Sequence, residues 1–252
     1  MPRRQRLFVE GLSLHVHQRG NNRQDIFHDD RDRTMFFGVL VEWAARYAVH
    51  VHVWTFMDNH FHLIVTPQTP DGVARTMQQV GRRYVPYFNR RHSRTGGLWE
   101  GRYSAHVIDT EAYWYRCLRY VELNPVRANI AGTPHEHRWS SYHAHAFGAE
   151  DALVTHHDLY LRLGATPSKR QNAHRALCHS ALSDCEVAAI RSALRTGGYP
   201  VEPPQPAPAG PAGGGAGVRP TDVERPAMAD AAIATATMMS LTAGRTDSIV
   251  DP

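Results

Sequence analysis

Residues 49–67 read "VHVHVWTFM", then Asp58 and Asn59, then "HFHLIVTP". Both runs alternate and are rich in β-branched and aromatic residues, and the second ends on Pro67, so they predict two strands in succession. That pair limits the fold sharply, because the segments around it have a different period. Upstream, "DDRDRTMFFGVLVEWAARYAV" places Phe36, Leu40, Trp43 and Tyr47 at helical spacing, behind an acidic start that suits a helix N-terminus. Before it, "RLFVEGLSLHVHQRG" reads as a first strand or hairpin arm ending on Gly20. Downstream, Val73, Met77, Val80 and Tyr84 predict a second helix, which Pro86 is expected to kink or end. "YSAHVID" is a fourth strand, and "EAYWYRCLRYVELN" a third helix capped by Asp109 or Thr110 and stopped by Pro125. The order β-α-β-β-α-β plus a helix predicts an α+β fold of the ferredoxin-like kind, a central antiparallel sheet with helices packed on it.

Beyond about residue 150 the pattern is helical, through "HHDLYLRLG", "SKRQNAHRALCHSAL" and "SDCEVAAIRSALRTGG". The last opens with Ser183 and Glu186 at capping-box spacing and closes on Gly197-Gly198. After it, "PPQPAPAGPAGGGAG" is too rich in Pro, Gly and Ala to pack a core. The expected organisation is a folded domain over 1–149, a helical extension over 150–199 and a low-complexity, disordered tail over 200–252.

Composition excludes several classes. Glu10 and Gly11 interrupt the apolar content of "MPRRQRLFVEGLSLH" too early for a signal peptide, and "AAIATATMMSLTAG" is shorter than the roughly 20 residues of a spanning helix, so a cytoplasmic protein with no membrane association is expected. Cys117, Cys178 and Cys185 are odd in number and lack C-x-x-C spacing, which points to neither a disulfide framework nor a zinc ribbon. Residues 1–200 carry 25 Arg or Lys against 18 Asp or Glu, a net charge of +7 where the whole chain has +4. The folded part is therefore the basic part, as an anionic partner such as nucleic acid would favour.

The 17 histidines include five His-x-His pairs, at 15/17, 50/52, 60/62, 135/137 and 143/145, so spacing alone singles out none of them. In a strand, residues i and i+2 project from one face about 6.6 Å apart. His60 and His62 can thus address one cation while Phe61 faces the core, and the adjoining "LIV" predicts a central strand. Asp58 shares their parity. His15/His17 and His50/His52 also fall in predicted strands and remain competitors. On the third helix, Tyr120 and Asn124 are four residues apart, on one face if the helix reaches that far. A tyrosine hydroxyl can attack phosphorus once a cation neutralises the phosphate, and an asparagine oxygen can ligate a hard cation.

"HVHQRGNNRQDIF", "MDNHFHLIVTP", "YFNRRHSRTGGLWEGRY", "YRCLRYVELNPVRANI" and "RWSSYHAH" follow one another in the order found in the single-tyrosine HUH transposases of insertion sequences. The chain resembles that family to about residue 145, and within it the REP-associated tyrosine transposases. The resemblance implies an HUH fold over 1–149, with His60 and His62 as metal ligands, Asn124 at the third ligand position and Tyr120 as nucleophile. It also implies Mg²⁺ or Mn²⁺ as cofactor, although two histidines alone would favour zinc, nickel or copper. The implied reaction cleaves and rejoins single-stranded DNA bearing a hairpin or repeated palindromic element, through a 5′-phosphotyrosine. A monomer or homodimer acting at the nucleoid is expected.

For DNA contacts the candidates are Arg19, Arg23, Arg82, Arg83, Arg90, Arg91 and Arg102, with Trp99 to stack on an unpaired base. Where relatives continue into a further folded segment, this sequence becomes low-complexity, as a truncated or frame-shifted end would, and cleavage is expected not to need it. Two other readings are a domesticated DNA-binding protein that no longer transposes, and a metal-dependent nuclease without a covalent intermediate.

Overall fold

The computed structural model describes residues 11–196; the expected tail, Gly197-Gly198 and the first residues of "RLFVEG" lie outside them. Strands β2 (Val49–Met57) and β3 (His60–Pro67) are joined by Asp58-Asn59 and pair antiparallel, with Met57 opposite His60. β1 (Ser13–Arg19) lies along the other side of β3, and β4 (Ser104–Ile108) along β1. The order β2-β3-β1-β4, antiparallel throughout, is that of a ferredoxin-like sheet, with β3 in its interior as "LIV" predicted.

Alternation then divides the side chains between two layers. Phe61, Leu63 and Val65, with Leu14 and Val16, pack against α1 (Asp30–Arg46) and α2 (Gly72–Arg91). Ile64 and Ile108 share the opposite core with α3 (Glu111–Glu122) and with α8 (Asp184–Thr196). One irregularity matters. Val51 opposes Val65 but Val53 opposes Ile64, so His52 is the extra residue of a β-bulge. Val51 consequently joins one core and Val53 the other, although unbroken alternation would put them on one face.

The helix ends follow their local chemistry. Asp29 caps α1 by accepting from Asp32 N at 3.1 Å, and Thr110 caps α3 by accepting from Tyr113 N at 3.2 Å. Ser183 and Glu186 form the expected reciprocal box, Glu186 Oε2 accepting from Ser183 N at 2.8 Å. Two expectations are corrected. α2 runs through Pro86 to Arg91, because Tyr84 and Phe88, both fully buried, anchor the helix on either side of a proline that faces solvent. α3 stops at Glu122, short of Asn124: Leu123 leaves helical geometry (φ −87°, ψ 3°) and Asn124 opens a separate turn, α4 (Asn124–Arg127), in which Pro125 needs no N–H partner.

The described residues also form α5 (Tyr142–Phe147), α6 (Asp158–Leu161) and α7 (Pro167–His179). Tyr142, Tyr160 and Cys178 from these helices enter the same core as α3. Among the described residues no helix is long and apolar enough to cross a membrane.

Candidate active site

The strand registers turn one face of the sheet into a block of imidazoles. His17 stands opposite His62, Arg19 opposite His60, and His15 opposite His106. The rings of His17 and His62 are 4.6 Å apart, those of His60 and His62 5.1 Å, and those of His17 and His60 5.5 Å. One ring nitrogen from each of the three lies within 4.8 Å of the others. His62 is buried, whereas His17 and His60 are half-buried, so the cluster opens to solvent on their side.

Burial makes these imidazoles neutral. It lowers His60 to about 3, helped by His17, Arg19 and Arg127, and lowers His17 to about 4, helped by Arg19 and opposed by Glu100. His62 falls well below its ordinary value, again chiefly by burial, then by His17, His15 and His60. Neutral imidazoles keep the lone pairs that a cation requires. Two are also oriented from behind. His60 Nδ1 donates to Asn59 Oδ1 at 2.7 Å, which leaves the lone pair on Nε2. His62 Nδ1 lies 2.9 Å from His15 Nε2. A cation on His62 Nε2 therefore requires His15 to accept the Nδ1 proton.

Over this block lies α3. Its three tyrosines differ in one respect. Tyr113 OH bonds His106 Nε2 at 2.8 Å and Tyr115 OH donates to Leu159 O at 2.9 Å, while the Tyr120 hydroxyl has no hydrogen-bond partner among the described residues. The Tyr120 ring stands edge-on to His62 at 5.4 Å and to His15 at 5.8 Å. The Arg127 guanidinium lies 4.1 Å from the ring centroid, and its Nη1 donates to Tyr120 O at 3.1 Å. Its Nε is buried and unpartnered.

Asn124 is buried, and its Nδ2 also lacks a partner among the described residues. Among the described residues no hydrogen bond links its side chain to His60 or His62. The third imidazole beside the pair is that of His17. Asp58 is not in the cluster despite its parity, because it occupies the turn, pairs with Arg33 and is exposed. Three neutral imidazoles whose ring nitrogens lie this close together fit one divalent cation.

The candidate DNA contacts scatter. Arg19 lies beside the histidines and is paired with Glu100 at 2.5 Å. Arg23 is exposed in the turn after β1, and Arg102 in the loop before β4. Arg82, Arg83 and Arg90 are exposed on α2, the layer behind the sheet. Arg91 is held by Asp29 and buried Asp32 at 2.5 and 2.6 Å. Trp99 is half-buried against Phe36, Phe61 and Tyr84. Sequence reasoning passed over Arg127, three residues after Asn124, and saw His15 and His17 only as rivals to the central pair. The cross-strand register that unites them has no local signal.

Residues 8–124 match the family model described as "Transposase IS200 like". Over this stretch the chain is similar to the IS200-like transposases. The matched segment spans β1 to the start of α4 and so includes every histidine of the cluster and Tyr120. Its fold is similar to that of a REP-associated tyrosine transposase bound to a REP hairpin, with a TM-score of 0.50 and 16% identity over 62% of this chain and 93% of that one. A putative transposase from Deinococcus radiodurans R1 matches with a TM-score of 0.34 and 21% identity, over 44% of this chain and 89% of that one. A comparison with curated proteins found no match.

Proposed function

We propose that this protein is an IS200-like transposase that cleaves and rejoins single-stranded DNA through a covalent bond to Tyr120, on a substrate that carries a hairpin or palindromic repeat. The observation that carries the reading is the Tyr120 hydroxyl, the one tyrosine oxygen of α3 without a hydrogen-bond partner among the described residues, on a ring packed against His62. In the proposed step the Tyr120 oxygen forms a bond to phosphorus and loses its proton to solvent. The bond from phosphorus to the 3′ oxygen breaks, and that oxygen takes up a proton as a free 3′-OH. One phosphodiester replaces another, so a second 3′-OH can reverse the step and join strands without ATP.

His60, His62 and His17 would hold a divalent cation, Mg²⁺ or Mn²⁺, with Asn124 as the further oxygen donor. Such a cation, when bound, neutralises the phosphate oxygens and makes phosphorus easier to attack. Asn59 and His15 fix the rings of His60 and His62. Arg127 lies over the nucleophile's ring and has an unused donor for a phosphate oxygen. The family match supports the transposase chemistry, and the hairpin bound to the structurally similar protein supports the substrate class.

End-labelled single-stranded hairpin DNA, incubated with the full chain and Mn²⁺ and then denatured, tests this. A protein-linked label that disappears with chelator is the expected result. Free cleavage products would instead indicate a hydrolytic nuclease, and binding without cleavage a DNA-binding regulator.

A further inference from the structure

A second cluster, which shares no residue with the histidine block, lies at the C-terminal end of α3. Glu122, the last residue of α3, is fully buried. Its Oε1 accepts from Ser141 Oγ at 2.8 Å and His145 Nδ1 at 2.7 Å, and its Oε2 from His174 Nε2 at 2.7 Å. Cys178 Sγ lies 3.9 Å from Glu122 Oε2 and 3.7 Å from His174 Nε2. His174 and Cys178 are one turn apart on α7 and share a face. Among the described residues no arginine or lysine pairs with the carboxylate, whose ionic partners are His145 and His174.

We infer that Glu122, His174 and Cys178 form a binding site for a zinc-class divalent cation that clamps α7 to the C-terminal end of α3. Three observations support it. Zinc bonds of about 2.3 Å to sulfur and about 2.0–2.1 Å to nitrogen or oxygen imply tetrahedral edges of roughly 3.5–3.6 Å to the sulfur. The two sulfur edges are within a few tenths of an ångström of that, and only the Glu122–His174 edge has to widen. A thiolate and a carboxylate together balance a dication, whereas the buried carboxylate otherwise has only imidazoles to offset it. His174 is fully buried with Nδ1 unpartnered, so its ring proton is free to move there when Nε2 binds metal.

Binding forms the sulfur–metal bond and releases the thiol proton to solvent. His145 keeps its bond to Oε1 and orients the carboxylate. An entry path exists, because Cys178 lines a cleft of about 410 Å³ with Tyr142, Arg175 and His179. The site lies two residues from both Tyr120 and Asn124, yet uses none of the groups proposed for DNA cleavage.

The test is a cobalt(II) titration of the full chain carrying Cys185→Ser, which removes the exposed thiol. The expected result is a thiolate-to-cobalt charge-transfer band that zinc bleaches. That band survives in a His60→Ala/His62→Ala variant and is lost in Cys178→Ser and His174→Ala. No thiolate band, or one that persists in Cys178→Ser, overturns the proposal. Should those two variants fail to fold, peptide mass mapping of Cys178 alkylation in the Cys185→Ser protein decides the matter. Zinc must slow that alkylation at least tenfold, and an unchanged rate overturns the site. Loss of DNA cleavage by itself leaves these readouts unaffected, so the two proposals fail separately.

Discussion

Replacing Tyr120 or Tyr113 by phenylalanine removes one oxygen from the same helix, with opposite expected consequences. Tyr113 is 4% exposed and its hydroxyl is 2.8 Å from His106 Nε2. His106 is 2% exposed and its Nδ1 already lacks a partner, so Tyr113→Phe leaves the whole ring unsatisfied. That should cost roughly 1–3 kcal/mol. Tyr120→Phe forfeits no hydrogen bond within the described protein and keeps the ring against His62, His15 and Arg127, so its cost should stay within about 0.5 kcal/mol. With a urea m-value of about 2 kcal/mol/M, the two midpoints should differ by roughly 0.25–1.5 M. Activity should reverse the order: Tyr113→Phe still forms the DNA adduct and Tyr120→Phe forms none. Equal losses of urea midpoint would show that the Tyr120 hydroxyl is structural and would refute the reasoning that made it the nucleophile.

Three further expectations follow from the same geometry. His17→Ala should weaken Mn²⁺ binding by at least the roughly 10–100-fold typical of losing an orienting neighbour, measured by calorimetry; an unchanged Kd would mean that His17 only stands beside the ion. Arg127→Leu should slow single-turnover adduct formation by about a hundredfold with little change in urea midpoint, and an unaffected rate would confine Arg127 to holding the chain at α4. His52 is lowered to about 3, first by burial, with the Thr155 carbonyl opposing and His157, His50 and His145 adding to the shift. It stays neutral in the folded state while the unfolded chain takes up a proton below about 6.5, so its contribution is full above that value and fades as pH falls toward 3, by about 1.4 kcal/mol per pH unit. His52→Gln should therefore be closer to the parent in urea stability at pH 5 than at pH 7, and an equal gap at both would contradict this.

The fold was legible because its signals are local. Periods of 2 and 3.6 alternate cleanly from β1 to α3, and capping residues mark Asp29, Thr110 and Ser183. What the sequence hid depends on contacts between distant segments. Pro86 reads as a breaker until Tyr84 and Phe88 are seen buried on both sides of it. The bulge at His52 is a property of two strands together. His17 becomes a partner of His62 only through a register spanning 45 residues of chain. Glu122 has no local signal of burial, which is visible only once α5 and α7 close over it. Tyr120 could be placed on α3 from the sequence, but that its hydroxyl, unlike those of Tyr113 and Tyr115, has no hydrogen-bond partner among the described residues is a fact of packing.

The most direct measurement is the identity of the residue joined to DNA. The full chain, reacted with single-stranded hairpin DNA and Mn²⁺, is denatured, digested with trypsin and nuclease, and read by mass spectrometry. Trypsin cuts after Arg119 and Arg127, so Tyr120 is the only tyrosine in the peptide "YVELNPVR". The expected species is that peptide carrying a phosphate-linked nucleotide, with a free 3′-OH on the released strand. A nucleotide on the peptide ending "YWYR", which holds Tyr103, Tyr113 and Tyr115, or cleavage with no linked peptide at all, would contradict Tyr120 as the nucleophile.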